Sequence, residues 1–330
     1  MPEIRSEYHH AWWLPGGHLP SIWGKKGRIQ PAVHDRIERW ATPDDDHLSL
    51  ARMGVIRPGV PHLLVLHGLE GTVRSNYAQG LMAQAGKRGW SADLMLFRSC
   101  DDVLNNARRL YHSGDTTDLD FVVRRLISQH PYLDLRIVGV SLGGNVTLKW
   151  LGEQGDHLSA NVSCAAGVSV PYDLAAGSRY LEQGLGPLYT AHFMKSLRAK
   201  TLAKLRRYPD LCDREAAVRA RTFWEFDGAV TGPVHGFADA QDYYAKSSSI
   251  RFISSIRLPT LLISAADDPF LPASVLEKVR EIAKDNDYLH LEFTRQGGHV
   301  GWTEGQPWSP RYYVEESVIS WLTDTRIRAK

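Results

Sequence analysis

Short apolar runs alternate with helical periodicities through the first half of the chain. Runs of aliphatic and β-branched residues predict strands buried on both faces, and apolar residues three or four positions apart predict helices. The predicted strands are His62 to Leu66, Ala92 to Phe97, Leu135 to Val140 and Asn161 to Val170, and the predicted helices are Tyr77 to Arg88, Thr116 to Gln129 and Leu142 to Glu153. Such an alternation requires a mainly parallel sheet with right-handed crossovers, so it predicts an α/β fold.

Further elements flank this series on both sides. Residues 1–34 show no sustained period, so we expect an irregular N-terminal arm. Arg36 to Thr42 and His47 to Met53 alternate in polarity around a turn-forming Pro-Asp-Asp-Asp sequence, which predicts an antiparallel hairpin at the sheet edge. The remaining predictions are a strand from Pro259 to Ser264, a helix from Ala273 to Lys284, a last strand from Tyr288 to Phe293 and a closing helix from Tyr312 to Thr325.

The strand and helix alternation is interrupted between residues 171 and 257. This segment has no strand pattern of comparable quality, and its apolar spacing predicts helices. The predicted helices are Leu181 to Leu205, Ala216 to Phe226 and Ala238 to Lys246. We therefore expect a core formed by residues 35–170 and 258–330, with residues 171–257 as a helical insertion.

Ser141 lies where a predicted strand meets a predicted helix, inside the G-x-S-x-G sequence Gly139-Val140-Ser141-Leu142-Gly143. This pattern is typical of a nucleophile elbow, a sharp turn that raises a serine hydroxyl above the sheet. The two glycines let strand and helix approach closely, and the Leu142 N–H can face a developing oxyanion from the helix N-terminus. The alternative is a glycine-rich turn with an idle serine, and the strand–helix context favours the elbow.

A serine nucleophile requires a base, and the base requires an orienting acid. His299 is flanked by glycines in the loop after the last predicted strand, and Asp267 and Asp268 follow the strand before it. Pro269 disfavours helical geometry at the preceding residue, so we expect Asp268 to extend from the strand exit as the acid. Asp267 points the other way and is expected to accept backbone N–H groups of its loop.

The loop after the first core strand supplies a candidate for the second oxyanion donor. It reads His67-Gly68-Leu69-Glu70-Gly71, and an H-G loop at this place provides a backbone N–H in hydrolases with a G-x-S-x-G elbow. We expect Leu69 to be the donor. His67 is interpreted as a side chain that braces the loop rather than as a base.

Composition excludes several function classes. The chain has 330 residues, 43% of them hydrophobic and 23% charged, with a net charge of +2. These values fit a globular protein with a sizeable core and give no electrostatic case for nucleic acid or for an acidic membrane surface. The basic stretch Lys195 to Arg207 is interpreted as a solvated helix face, with a patch for anionic head groups as the alternative.

Cysteine usage and the absence of targeting patterns favour a cytoplasmic location. Cys100, Cys164 and Cys212 are odd in number and widely spaced, so they predict neither a disulfide framework nor a zinc site. The N-terminus has no signal-peptide pattern, and no apolar run approaches the roughly 20 residues that a transmembrane helix requires. No phosphate loop or metal-ligand motif occurs, so we expect no cofactor and no metal.

Four segments together resemble the YheT-like family of α/β-hydrolases, relatives of the animal abhydrolase proteins 1 to 3. They are LHGLEGTVRSNYAQGL at 66–81, RRLYHSGDTTDL at 108–119, VGVSLGGNVTLKWLGE at 138–153 and AADDPFLP at 265–272. The resemblance implies an α/β-hydrolase fold and hydrolysis of carboxylic esters with an apolar acyl chain. By motif position it assigns Ser141 as nucleophile, Asp268 as acid and His299 as base.

The chain departs from the family pattern in two places. Residues 98–102 read Arg-Ser-Cys-Asp-Asp where the family tends to have R-G-C-S-G, and residues 17–22 of the arm read Gly-His-Leu-Pro-Ser-Ile where an Asn-x-His-x-Gln-Thr pattern is usual. We expect both departures to alter the mouth of the pocket.

The resulting hypothesis is a serine esterase acting on a small-molecule ester. The insertion at 171–257 is expected to cover the active site as a cap, and its aromatic and aliphatic side chains would suit an apolar acyl pocket, although each could simply hold the cap to the core. The candidates are Tyr180, Leu185, Tyr189, Phe193, Phe223, Trp224 and Phe226. Two alternatives remain open: thioester hydrolysis or acyl transfer on the same triad, and a catalytically silent binding protein.

Overall fold

The computed structural model describes residues 3–324, so Thr325, the predicted end of the last helix, and the rest of 325–330 lie outside the described residues together with Met1 and Pro2. The strands are β1 (Arg36–Thr42), β2 (Asp46–Met53), β3 (His62–Leu66), β4 (Ser91–Leu96), β5 (Leu135–Val140), β6 (Val162–Val168), β7 (Thr260–Ala265), β8 (Leu289–Thr294), β9 (Thr303–Gln306) and β10 (Ser309–Tyr312).

The helices are α1 (His18–Ile22), α2 (Asn76–Lys87), α3 (Thr117–Gln129), α4 (Leu142–Gln154), α5 (Leu174–Tyr180), α6 (Gly186–Arg207), α7 (Arg214–Arg219), α8 (Phe223–Phe226), α9 (Gly232–His235), α10 (Ala240–Ser247), α11 (Ala273–Ala283) and α12 (Tyr313–Thr323). Two π-helical turns, Trp23–Gly27 and Asp227–Thr231, and three 3₁₀ turns, Gly155–His157, Ser249–Arg251 and Ile253–Ser255, complete the helical elements.

Eight strands form one sheet in the order β1-β2-β4-β3-β5-β6-β7-β8. The β1–β2 hairpin is antiparallel and lies at one edge, β2 pairs antiparallel with β4, and every other neighbouring pair is parallel. The predicted mainly parallel sheet and its edge hairpin are therefore confirmed. In a parallel sheet the carboxyl ends of the strands share one edge, which is where ligand sites of open α/β sheets lie.

The sheet is covered by helices on both faces. Leu64 and Leu66 of β3 contribute to one apolar cluster with residues of α3, α4 and α11, whereas Leu63 and Val65 contribute to the other with residues of α2 and α12. All five residues of β3 are buried. Burial on both faces explains why these strands are continuous apolar runs instead of alternating patterns.

Between β6 and β7 the chain forms only helices and turns, and one of the three predicted helices there is wrong. The helix predicted from Leu181 to Leu205 is confirmed as α6, although it begins five residues later, at Gly186, because Gly184 takes a left-handed φ of 55° before it. The helix predicted from Ala216 to Phe226 is divided into α7 and α8. There Thr222 starts a new helix with a capping box, its hydroxyl accepting the Glu225 N–H.

Two further predictions near the termini are wrong. The arm is not wholly irregular, since it contains α1 and a π-helical turn, and Glu3 forms a bridge with Leu291 of β8. β8 is the last strand of the main sheet, but a hairpin of β9 and β10 follows it. These four-residue strands are mostly polar, so they give no apolar period from which a strand can be predicted.

Candidate active site

Ser141 occupies a strained turn between β5 and α4. Its φ of 54° and ψ of −121° lie in a region that non-glycine residues avoid, at a cost of about 1–3 kcal/mol. A Cβ added to Gly139 would lie 2.4 Å from the Gly143 carbonyl oxygen, and one added to Gly143 would lie 2.6 Å from the His67 carbonyl oxygen. The two glycines of the motif are thus required by close packing of the turn against its neighbours.

His299 connects Ser141 with Asp268. Its Nε2 atom lies 2.9 Å from Ser141 Oγ, and its Nδ1 atom lies 2.9 Å from Asp268 Oδ2. Asp268 is 4% exposed, and its other carboxylate oxygen accepts the Phe270 N–H at 2.8 Å. Because a carboxylate only accepts, it favours the imidazole tautomer with hydrogen on Nδ1, which leaves Nε2 as an acceptor for the serine proton.

Asp267, next to Asp268, faces a different partner. Its Oδ1 atom accepts the Gly298 N–H at 2.8 Å, and burial raises the pKa of its carboxyl. Asp267 therefore braces the loop that carries His299, and it does not contact the imidazole. The structure brings together Ser141, Asp268 and His299 and leaves Asp267 outside the group.

Several residues that hold the His299 loop were not identified from the sequence. The Ser21 hydroxyl of α1 accepts the His299 N–H at 2.7 Å and donates to the Gly17 carbonyl oxygen at 2.6 Å. The Phe270 ring stacks on the imidazole with 4.2 Å between centroids. Ser21 lies in the arm and belongs to no catalytic motif. The one sequence signal in this segment is that residues 17–22 depart from the family pattern.

The loop after β3 lies against Ser141. A Cβ built on Gly68 would be 3.0 Å from Ser141 Cβ, so its backbone is close to the nucleophile. Among residues 3–324, neither the Leu69 N–H nor the Leu142 N–H has a hydrogen-bond acceptor, whereas the Gly68 N–H donates to the Tyr77 hydroxyl at 2.7 Å. An oxyanion hole requires free N–H donors close to the nucleophile, so Leu69 and Leu142 remain the candidates for these donors.

His67 packs beneath this loop. The imidazole donates from Nδ1 to the Gly68 carbonyl oxygen at 2.7 Å and accepts the Phe97 N–H on Nε2 at 3.1 Å. Burial lowers the pKa of His67 to about 4, which keeps the ring neutral in this arrangement. Both ring nitrogens are engaged by the backbone, so His67 holds the loop in place.

A cavity of about 620 Å³ opens onto Ser141 and His299, and its wall is formed by the insertion together with the arm and the loop after β3. Five of the seven predicted pocket residues line it, namely Leu185, Tyr189, Phe193, Phe223 and Phe226. Tyr180 and Trp224 do not line this cavity, so the alternative of a purely structural role applies to these two. Trp224 instead packs its ring against Tyr244 at a centroid distance of 5.2 Å.

The cavity wall also contains one carboxyl group on the insertion. Asp227 accepts a hydrogen bond from the Tyr244 hydroxyl at 2.7 Å, and burial raises the pKa of Asp227 to about 6. This carboxyl has no Lys or Arg partner among the residues that the structure describes.

The two family departures have different consequences. Residues 98–102 do not line the cavity, so the expected effect on the pocket mouth is wrong for them. Ser99 and Asp102 have φ values of 63° and 64°, so they keep the left-handed backbone that the family pattern provides with glycine. Ser21 and Ile22 of the arm do line the cavity.

The basic stretch from Lys195 to Arg207 lies on α6 and is not a uniformly solvated face. Lys204 is fully buried and donates to the Asn105 carbonyl oxygen at 2.7 Å, and burial lowers its pKa to about 8. Lys200 faces inward and donates to Glu70 Oε1 at 2.7 Å. The interpretation as a solvated face is therefore wrong for these two lysines, which join the insertion to the core.

Residues 3–324 contain neither a membrane-spanning helix nor a metal-binding cluster. No helix there combines the length and the hydropathy of a membrane span. No group of three or more His, Cys, Asp or Glu side chains in the same range is arranged to hold a metal ion.

The chain is similar to known families and proteins over most of its length. A family described as the alpha/beta hydrolase fold matches residues 61–301. The candidate esterase YheT of Escherichia coli K12 is 35% identical over 95% of this chain and 92% of its own length. A monoacylglycerol lipase of Saccharomyces cerevisiae is 30% identical, with coverage of 87% of this chain and 64% of the yeast protein.

Solved structures agree with this at the level of the fold. An esterase of Pyrococcus furiosus, Pf2001, superposes with a TM-score of 0.53 at 17% identity, covering 80% of this chain and 82% of the esterase. An acylaminoacyl peptidase superposes with a TM-score of 0.54 at 16% identity, covering 89% of this chain and 42% of the peptidase. At such identities the likeness concerns the fold alone.

Proposed function

The chain belongs to the α/β-hydrolase fold family, in its YheT-like group, and from this premise we propose that it is a serine esterase that cleaves carboxylic esters through an acyl-enzyme on Ser141. The observation that carries the proposal is the continuous hydrogen-bonded series Ser141–His299–Asp268 with its two 2.9 Å contacts. Relatives named as esterase, monoacylglycerol lipase and phospholipase support ester hydrolysis as the reaction class.

The proposed first half-reaction forms the acyl-enzyme. Ser141 Oγ attacks the ester carbonyl carbon while His299 Nε2 accepts the hydroxyl proton. The Leu69 and Leu142 N–H groups receive the negative charge that develops on the carbonyl oxygen. The imidazolium, stabilised by Asp268, then protonates the leaving alcohol as the carbon–oxygen bond of the ester breaks.

The second half-reaction reverses these roles. A water molecule loses its proton to His299 as it attacks the acyl carbon, and the Ser141 oxygen leaves with that proton. The same two N–H groups receive the second oxyanion. Each proton transfer uses Nε2, so the tautomer held by Asp268 is needed in both halves.

We propose further that the substrate carries an apolar acyl chain and that residues 171–257 act as a cap over it. Leu185, Phe193, Phe223 and Phe226 surround the cavity with hydrocarbon, and a buried methylene contributes about 0.8 kcal/mol to binding. Lipase and phospholipase relatives support a lipid-like ester. Thioester hydrolysis would use the same residues, with a thiol as the leaving group in place of the alcohol. Acyl transfer would also use them, with an acceptor alcohol in place of the water.

The test is turnover of p-nitrophenyl esters with acyl chains from two to sixteen carbons, together with matched p-nitrophenyl thioesters. We expect hydrolysis of the esters by the wild-type protein and a loss of several orders of magnitude in Ser141→Ala. Ester turnover in the Ser141→Ala variant equal to that of the wild type would contradict the proposal. Absence of turnover on every ester, with a correctly folded wild type, would favour a catalytically silent protein.

A further inference from the structure

The loop that carries the Leu69 N–H has a strained backbone at the following residue, Glu70. Glu70 has a φ of 54°, which is unfavourable for a side chain that is neither Gly, Asn nor Asp. Strain of this kind persists only where surrounding contacts overdetermine it. The contacts of Glu70 therefore help to fix the conformation of the loop that carries the Leu69 N–H.

Tyr111 holds Glu70 through both its backbone and its side chain. The tyrosine hydroxyl accepts the Glu70 N–H at 2.8 Å and donates to Glu70 Oε1 at 2.8 Å. The Tyr111 ring is stacked on Phe97 with 5.2 Å between centroids, and this packing restrains the position of the hydroxyl. Burial raises the pKa of Tyr111 well above its ordinary value, which keeps the hydroxyl a donor and an acceptor at once.

Lys200 of α6 holds the same carboxylate from the insertion. Its Nζ atom donates to Glu70 Oε1 at 2.7 Å and lies 3.3 Å from the Cys100 thiol. The side chains of Lys200 and Glu70 are 22% and 11% exposed, so solvent only partly screens the pair. A charged contact between α6 and the oxyanion loop therefore fixes one structural unit against the other.

These contacts leave one N–H of the loop free. The Gly68 N–H is taken by the Tyr77 hydroxyl and the Glu70 N–H by the Tyr111 hydroxyl, while the Leu69 N–H between them has no acceptor among the described residues. Flanking donors that are already bonded cannot rotate toward the substrate. Among residues 68–70 the loop thus offers a single free donor, the Leu69 N–H, and the neighbouring Gly68 lies against Ser141.

We propose that Tyr111 and Lys200 are positioning residues of the oxyanion hole, which act through Glu70 to aim the Leu69 N–H at the tetrahedral intermediate. This inference rests on the proposed serine-esterase function and adds a link between helix α6 of the insertion and catalysis. Since the oxyanion forms only after attack, loss of this alignment lowers kcat and leaves KM nearly unchanged.

The deciding variant is Tyr111→Phe, which removes one oxygen atom and keeps the ring that stacks on Phe97. We expect kcat for p-nitrophenyl butyrate to fall about tenfold to a hundredfold, with KM within about twofold of wild type. This loss of kcat should not exceed the loss caused by removing an oxyanion donor itself. An alkyl boronic acid, whose serine adduct resembles the tetrahedral intermediate, should lose affinity by a similar factor.

Lys200→Met is the second variant, and Lys195→Met is its matched control. Lys195 lies on the exposed side of the same helix, so its loss should leave kcat, KM and boronic acid affinity unchanged. Lys200→Met should lower kcat in the same manner as Tyr111→Phe, and the double variant should lose less than the product of the two factors because both act through Glu70.

The outcomes separate this inference from the proposed function. If Ser141→Ala is inactive and both Tyr111→Phe and Lys200→Met keep wild-type kcat, the positioning role is overturned and the esterase proposal stands. A rise in KM with unchanged kcat overturns it as well. If Tyr111→Phe fails to fold, Lys200→Met decides by the same criteria. Activity retained in Ser141→Ala overturns the proposed function itself.

Discussion

His299 Nε2 lies 2.9 Å from Ser141 Oγ although 158 positions separate the two residues in the chain. Ser141 follows β5 and His299 follows β8, with β6 and β7 between these strands in the sheet. The histidine loop therefore reaches across two strands. Ser21 and Phe270 contact His299, and Ser169 accepts the N–H of the next residue. The reach of this loop makes the position of the base dependent on the N-terminal arm as well as on the core.

The first prediction distinguishes the two adjacent acids. Asp268→Asn should lower kcat on the order of 10⁴-fold, since an amide in place of the carboxylate favours the wrong imidazole tautomer and no longer stabilises the imidazolium. Asp267→Asn should have a much smaller effect on kcat and a measurable one on thermal stability, because Asp267 contacts the Gly298 N–H and not the imidazole.

Steady-state kinetics of both purified variants, with folding checked by circular dichroism, provide the measurement. Each variant is the matched control for the other, because the substitution is the same and the positions are neighbours. A larger loss of kcat in Asp267→Asn than in Asp268→Asn would contradict the assignment of Asp268 as the acid.

The assignment of these acids shows how far the sequence alone leads. Pro269 and the opposite directions of successive side chains favour Asp268 over Asp267 as the residue that faces the histidine, and Asp268 Oδ2 lies 2.9 Å from His299 Nδ1. The prediction combined these local backbone rules with the family resemblance of residues 265–272. Ser21, Tyr111 and Lys200 could not be identified in this way, because their contacts join segments that no local rule relates.

Predictions failed where the local signal was weak or misleading. The apolar spacing of residues 181–205 predicts a helix start five residues before the observed start of α6 at Gly186, since a single glycine, here Gly184, is compatible with either outcome. The strands β9 and β10 have no apolar period. The burial of Lys204 could not be predicted either, because a charged residue gives no signal in the sequence that its ammonium group will bind backbone carbonyl oxygens. By contrast, β3 and β5 match their predicted bounds, because strands buried on both faces are the most continuous apolar segments.

The second prediction concerns acyl chain length. Phe193→Ala should move the preferred acyl chain of a p-nitrophenyl ester series to longer chains, since Phe193 lines the cavity and packs against Phe270. The rate on the acetyl ester should change less than about twofold, because a two-carbon acyl group does not reach the enlarged part of the cavity.

Trp224→Ala is the control for this experiment. It removes an aromatic ring of the same insertion that lies outside the cavity, so the chain-length profile should keep its shape. If Phe193→Ala and Trp224→Ala give the same profile as the wild type, the insertion has no part in acyl selection.

The third prediction is a pH dependence of stability that originates at His67. Its pKa is about 4 in the folded protein against an ordinary value of 6.5, so the unfolded chain binds the proton first as pH falls. The contribution of neutral His67 is therefore fully present above about pH 6.5, decreases toward pH 4 and changes no further below it. The linked loss is on the order of 3 kcal/mol for a shift of this size.

Urea unfolding of the wild type and of His67→Gln at several pH values between 7.5 and 4 measures this contribution. His67→Gln should be less stable at pH 7.5, since it loses a ring bonded on both nitrogens, and its stability should fall less steeply below pH 6.5. Other buried histidines are common to both proteins and cancel in the difference. Equal slopes in the two proteins would show that His67 does not titrate in this range.

The central claim is that Ser141 becomes acylated, and mass spectrometry of a trapped adduct tests it most directly. The wild-type protein is mixed with a fluorophosphonate, or with p-nitrophenyl butyrate followed by acid quench, and digested. We predict one phosphonyl or butyryl group on the peptide that contains Ser141, and no adduct in Ser141→Ala. An adduct on another residue, or equal labelling of the two proteins, would contradict the account.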